Sequence, residues 1–206
     1  DRGIDAYRIA MVPNGVDPEV FSPDRYSISE LSEIRRRYGI PTEAFLLTFV
    51  STFGAWHGGE IFAKAFRALC LDDPMWIKAN RVFALFVGDG VRSDEVREIL
   101  DHPGVTENVV MTGLVEPGAI PGLLVASDAF ISPQIPNPDG SDFFGSPTKL
   151  YEYLASGRPV LASQLNQIAE TMHGSPKTAD LAVSTNDFPH ATGALVEPGS
   201  VVDLVV

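Results

Sequence analysis

From Phe45 onward, short and wholly apolar runs alternate with amphipathic stretches. FLLTFVST (Phe45 to Thr52) and VFALFVG (Val82 to Gly88) carry apolar side chains at consecutive positions, as strands buried on both faces do. VVMTG (Val109 to Gly113), AFIS (Ala129 to Ser132) and RPVLAS (Arg158 to Ser163) continue the series. Between the first two, Ile61, Ala65 and Leu69 lie four apart with Phe62 and Phe66 beside them, which predicts a helix with one core-facing stripe. Val91 to Leu100, Pro117 to Asp128 and Thr148 to Ser156 supply three more helical stretches. The alternation predicts the α/β class, with a doubly wound, Rossmann-like parallel sheet covered by helices. We take residues 1–206 as one domain of this kind. Ahead of it, Pro13, Asn14, Gly15, Pro18 and Pro23 break up a lead-in strand at Ile9 to Val12 and an irregular connector reaching residue 30. A polar helix is expected over Ser29 to Tyr38, with Arg35, Arg36 and Arg37 on a solvated face. After Gln164, Leu181 to Thr185 and Gly193 to Pro198 read as short edge elements.

Charge narrows the range of partners. A formal net charge of −12 opposes binding to phosphate backbones, where affinity comes mainly from Lys and Arg, so nucleic acid is excluded as a partner. Hydrophobic residues make up 45% of the chain, enough for a folded core. The one cysteine, Cys70, rules out an internal disulfide scaffold and favours a cytoplasmic address. No apolar run approaches the roughly 18 residues of a membrane span. The opening DRGIDAYRIA has no Met and the chain closes on the apolar VVDLVV, which reads as a piece of a longer two-domain protein.

In doubly wound sheets, ligands bind outside the carboxyl ends of the strands. That rule selects four loops: 51–59, 88–91, 113–117 and 133–146. The last leads into GSPTKLYEYLASGRPVLAS (Gly145 to Ser163), the most informative segment. Ser146 is placed to cap the helix, Pro147 fits its first position, and Gly157 with Pro159 ends it. Such a terminus favours anions, a diphosphate included. Leu150 and Leu154 share the core face. Glu152 points away from them, in line with Thr148 and Ser156, where a carboxylate would accept bonds from ribose hydroxyls or simply face solvent. His102, His173 and His190 have no ligand partners at metal spacing, so no metal is assigned. A serine-hydrolase elbow and a phosphate-binding G-x-x-x-x-G-K-[ST] loop are both missing from the sequence.

This segment resembles the donor-site helix of retaining glycosyltransferases of the GT-B fold, the group 1 or family 4 type. Further runs resemble other members of the family's series, in its order: VPNGVDPEVFSP (Val12 to Pro23), FVSTFGAWHGGEIFAKAF (Phe49 to Phe66), LFVGDG (Leu85 to Gly90), VVMTGLV (Val109 to Val115) and GALVEPGS (Gly193 to Ser200). The likeness is strongest to the subgroup with WHG in the first loop and SP-x-KL-x-EY in the donor helix. It implies one half of a GT-B fold, the C-terminal donor-binding half, with the acceptor-binding N-terminal domain missing. The donor would be a nucleoside diphosphate sugar, the acceptor a hydroxyl, and no metal or other cofactor would be needed. Glu152 would hold the donor ribose, and Ser146, Pro147 and Thr148 the diphosphate. Gly54, His57 and Gly58 would border the diphosphate from the first loop, and Leu114 and Val115 would grip the base. Lys149 is a candidate cation for the diphosphate. His57 is read either as a second cation or as a loop histidine bonded to neighbouring backbone, and Trp56 as a packing residue. Two departures stand out: Phe144 falls where the family often has a first glutamate, and Thr52 and His57 fall where it often has Arg and Lys. Because reaction in this fold occurs between two domains, the chain alone is expected to bind donor without turnover. Membrane association of the parent protein stays open, since it could reside wholly in the missing half. The alternatives are a degenerate binding module that keeps the fold, and a sugar-nucleotide epimerase on the same architecture.

Overall fold

Six strands form one all-parallel sheet: β1 (Phe45–Val50), β2 (Val82–Val87), β3 (Val109–Met111), β4 (Ala129–Ser132), β5 (Val160–Ser163) and β6 (Gly193–Val196), in the order β3-β2-β1-β4-β5-β6. The structure, a computed structural model, describes residues 3, 5–10, 12, 14–137, 139, 143, 145–173 and 193–205. Strand order reverses between β1 and β4, the position at which doubly wound sheets place a ligand crevice outside the carboxyl ends of the strands. β1 and β2 are in register over their full lengths, Phe45 opposite Val82 through Val50 opposite Val87.

The helices are α1 (Pro18–Phe21), α2 (Ile28–Arg37), α3 (Gly59–Asp72), α4 (Pro74–Asn80), α5 (Ser93–Leu100), α6 (Ile120–Val125), α7 (Thr148–Ala155) and α8 (Asn166–His173). Spacing alone does not predict α1, α4 or α8. The start of α4 is nonetheless written in the sequence: Asp73 accepts the Trp76 N–H at 2.9 Å, and Pro74 takes the first position, where its missing N–H costs nothing. α2 opens on a reciprocal cap, Ser27 accepting the Glu30 N–H and Glu30 accepting the Ser27 N–H at 2.8 Å. The expected lead-in strand at Ile9 to Val12 is not formed among the described residues of that stretch, and apolar character alone does not make a strand without a neighbour to pair with. Gly193–Val196 forms the expected edge strand, and Leu181 to Thr185 lies outside the described residues.

Two aromatic clusters hold the sheet between its helices. On one side Phe62 of α3 stacks on Phe86 of β2 at 4.8 Å, and Phe49 of β1 meets Phe86 edge-on at 6.0 Å. On the other, Tyr153 of α7 lies flat on Phe130 of β4 at 4.2 Å and accepts the Val50 N–H at 2.8 Å. α7 is thus pinned to both crevice strands. Of the basic run, Arg36 and Arg37 are exposed as expected, whereas Arg35 turns inward. It pairs with Asp128 at 2.8 Å and donates to the carbonyls of Thr42, Ala44 and Ala126, because the strand starts there leave backbone oxygens that need donors.

Candidate functional site

At the crevice, the loop after β1 turns sharply. Ser51 Oγ accepts the Phe53 N–H at 3.0 Å, and Phe53 sits in the left-handed region at φ 46°, a conformation costly for a side chain of its size. It is held there because its ring is buried edge-on against Phe49 at 5.5 Å. His57 closes the turn. Its Nδ1 accepts the Gly54 N–H at 3.0 Å and faces Ser51 Oγ at 2.6 Å, so the ring proton belongs on Nε2. Burial, and to a lesser degree the Lys149 charge, push the imidazole down to about 4. In the free domain His57 is therefore a neutral loop histidine bonded to backbone, and its positive form is held off. Trp56, expected to pack, is half exposed and meets the His57 ring edge-on at 5.6 Å.

The loop before α7 supplies the opposite wall. Thr148 is the first helical residue and Pro147, extended at φ −71° and ψ 113°, occupies the cap position. The cap expected at Ser146 is thus displaced by one residue, because Pro147 is itself extended and helical geometry begins only at Thr148. Ser146 Oγ instead accepts the Asn14 N–H at 3.1 Å and meets Tyr151 Oη at 3.2 Å. Asn14 Nδ2 donates to Ser146 O at 2.6 Å and to Thr148 Oγ1 at 3.4 Å, and Tyr151 Oη reaches Thr171 Oγ1 of α8 at 3.4 Å. Leu150 and Tyr153 form the buried face of α7, and Leu154 is only half-buried. Ser156, aligned with Glu152 on the helix, is also buried, so the row of Thr148, Glu152 and Ser156 opens to solvent only at its first turn.

Lys149 is the unusual residue. Its ammonium Nζ is buried 4.6 Å above the Phe49 ring and has no hydrogen-bond partner. Burial pushes it down to about 7, with the Glu152 carboxylate pulling partly the other way. Burial raises Glu152 in turn, and Lys149 partly offsets that. A buried, unpaired ammonium is destabilising unless something supplies an anion.

These walls enclose a cleft of about 500 Å³. His57, Leu114, Val115, Ser146, Pro147, Thr148, Lys149 and Glu152 all line it, so three segments distant in sequence converge. Gly54 and Gly58 do not line it; they shape the first loop from behind, Gly58 at φ +71° with its Cα against the Pro133 carbonyl. Phe144 lies outside the described residues. Sequence reasoning missed Ser51 and Gln134, both on the cleft wall, since each is a single polar residue just past a strand end. A larger groove of about 1210 Å³, lined by residues such as Phe45, Leu47, Phe66 and Leu161, contains none of the expected site residues. Among the described residues, no group of three His, Cys, Asp or Glu is placed to hold a metal, and no helix is long and apolar enough to cross a membrane.

The family of glycosyl transferases group 1 matches residues 44–204. The chain belongs to this family. As a group 1 glycosyltransferase domain it is 26% identical over 166 residues to the 2-deoxystreptamine glucosyltransferase of Streptomyces kanamyceticus, an alignment covering 80% of this chain and 38% of that protein. The chain thus spans well under half the length of such a relative. Its fold superposes on Anabaena Alr3699/HepE in complex with UDP-glucose with a TM-score of 0.66 at 22% identity, covering 93% of this chain and 44% of the other. The C-terminal domain of the group 1 protein LpcC from Francisella tularensis matches with a TM-score of 0.60 at 19% identity, covering 93% of this chain and 84% of that domain. The group 1 domain described here therefore has the Rossmann-like architecture of one half of a GT-B glycosyltransferase.

Proposed function

We propose that this domain binds the nucleoside diphosphate sugar donor of a two-domain glycosyltransferase, and that the parent enzyme moves a hexose or related sugar to a hydroxyl acceptor. The observation that carries the reading is the buried, unpaired Lys149 ammonium in the first turn of α7, a terminus that its N-cap side chain does not cap. In sugar transfer, the bond from the anomeric carbon to the diphosphate oxygen breaks and a bond to the acceptor oxygen forms, as the acceptor hydroxyl loses its proton. Negative charge then grows on the departing diphosphate, and donors already fixed around it lower the barrier. Lys149 and the first turn of α7 are such donors. Glu152, one turn further on, accepts from the ribose, and Leu114 and Val115 flank the base at the far end of the cleft. Gly54, His57 and Gly58 give the first loop the shape that meets the phosphates. Ser146, Pro147 and Thr148 present the opposite wall. Because an acceptor-binding partner domain completes such a cleft, this chain alone binds donor and does not turn it over.

The relative crystallised with UDP-glucose makes uridine the first base to try. The test is an amide-shift titration of the domain with UDP, GDP and ADP, repeated on Glu152→Ala. One nucleotide is expected to move the signals of 51–57, Leu114, Val115 and 146–152, and the variant to bind it about 1–3 kcal/mol more weakly, the range for a hydrogen bond to a charged group. If no nucleotide binds at millimolar concentration, the domain is not a self-sufficient donor site and the reading fails for this chain.

A further inference from the structure

We propose that Gln134 is a donor-site residue, its carboxamide nitrogen hydrogen-bonding the acceptor oxygens at the phosphate-sugar end of the nucleotide sugar. Gln134 follows β4 by two residues and is 1% exposed, yet it lines the cleft. Its orientation is fixed: Ser132 Oγ, itself buried, donates to Gln134 Oε1 at 2.9 Å, which leaves Nε2 turned from the serine with no partner. The backbone around it is held as firmly, because the Ile135 N–H donates to Trp56 O at 3.2 Å and the Pro133 carbonyl packs on Gly58. A buried amide with both hydrogens unpaired is uncommon in native proteins, and its cost is removed when a ligand supplies the acceptor.

The place of Gln134 in the sheet indicates which part of the ligand it meets. Leu114 and Val115 follow β3, on one flank of β1, and Gln134 follows β4, on the other. A donor whose base lies at Leu114 and Val115 therefore brings its distal end towards Gln134. The chemistry agrees: the two buried, unpartnered groups on the cleft wall, Gln134 Nε2 and Lys149 Nζ, are both pure donors. Together they match a ligand end that is rich in acceptors, such as a diphosphate with its attached sugar. The inference rests on the donor reading above.

Calorimetric titration of this chain with UMP, UDP and UDP-glucose tests it, using Gln134→Met, which keeps the side-chain length without the donors, and Gln134→Glu, which keeps an acceptor. Gln134→Met is expected to weaken UDP-glucose about 10- to 100-fold and UMP less than about twofold, as for one lost bond to a charged or strongly accepting group. A loss shared by UDP assigns the bond to the distal phosphate, and a loss confined to UDP-glucose assigns it to the sugar. Gln134→Glu, whose added charge faces the phosphates, is expected to lose more than Gln134→Met. Unchanged UDP-glucose binding in folded Gln134→Met, equal loss of UMP, or full binding by Gln134→Glu each overturns the assignment while leaving the donor reading intact. A wild-type chain that binds none of the three nucleotides overturns both.

Discussion

Lys149→Met is expected to make the free domain more stable and its grip on a nucleoside diphosphate weaker, two effects of opposite sign from one side chain. In the folded domain the Lys149 ammonium is pushed down to about 7, while in the unfolded chain it titrates in the ordinary lysine range near 10.5. Below pH 7 both states carry the proton and the folded state bears the full cost of a buried charge. Between about 7 and 10.5 the unfolded chain holds more protons, so wild-type stability rises with pH across that window. The methionine variant lacks this slope, and at pH 6 it is expected to exceed wild type by a few kcal/mol, since each tenfold weakening of proton affinity on folding corresponds to about 1.4 kcal/mol. Urea unfolding at pH 6 and at pH 9.5 reads the difference. Binding runs the other way. The diphosphate favours the charged lysine, so wild-type affinity is greatest below pH 7 and falls as pH rises above it, with a proton taken up on binding. The variant is expected to bind about 10- to 100-fold more weakly at pH 6, and at pH 8, where wild type takes up a proton on binding, to show no uptake. Equal stability of the two proteins at pH 6, together with equal affinity, would remove Lys149 from the site.

The second large effect is expected from Gly58→Ala. Gly58 is in the left-handed region, its carbonyl accepts the first amides of α3, and a Cβ built on it runs into the Pro133 carbonyl oxygen. Backbone has no side-chain end to swing away, so either the first loop or the loop after β4 must shift. Gly39 provides the comparison: its φ is nearly the same, +70°, and nothing lies within 4 Å of its Cβ position. Gly39→Ala is expected to lose about 1–2 kcal/mol, the left-handed penalty alone, and Gly58→Ala about 3–5 kcal/mol, as befits strain plus a clash. Against a total stability of about 5–15 kcal/mol, the larger figure brings the domain near unfolding. Equal losses in the two variants, measured by urea unfolding, would show that the two loops are not locked together at this point.

Much of the fold was legible because buried parallel strands announce themselves as short apolar runs, and β1, β2, β4 and β5 each sit within one. Three helices were not anticipated, α1 with four residues, α4 with seven and α8 with eight. For α4 the decisive signal is the Asp73-Pro74 start rather than any stripe. The convergence of His57, Leu114, Val115 and the α7 terminus on one cleft followed from the rule that loops at strand carboxyl ends meet. Electrostatic detail did not. Lys149 reads from sequence as a long cation free to reach a ligand, and only packing against Phe49 reveals that it is already buried. His57 has two open readings until the Gly54 amide and the Ser51 hydroxyl claim its Nδ1. Gln134 carries no sequence signal, since its importance lies in what Ser132 leaves undone.

The string of polar contacts from Asn14 through Ser146 and Tyr151 to Thr171 gives the first turn of α7 a lateral mechanical support. That turn is anchored below by Tyr153 against the sheet and tethered laterally at both ends of the string, one end in the segment that leads into the domain, the other in α8. A displacement of Asn14 is transmitted to the turn without passing through the core. The stiffness of that turn is thereby set in part by an exposed lead-in segment, and local fraying there loosens the turn while the sheet stays intact.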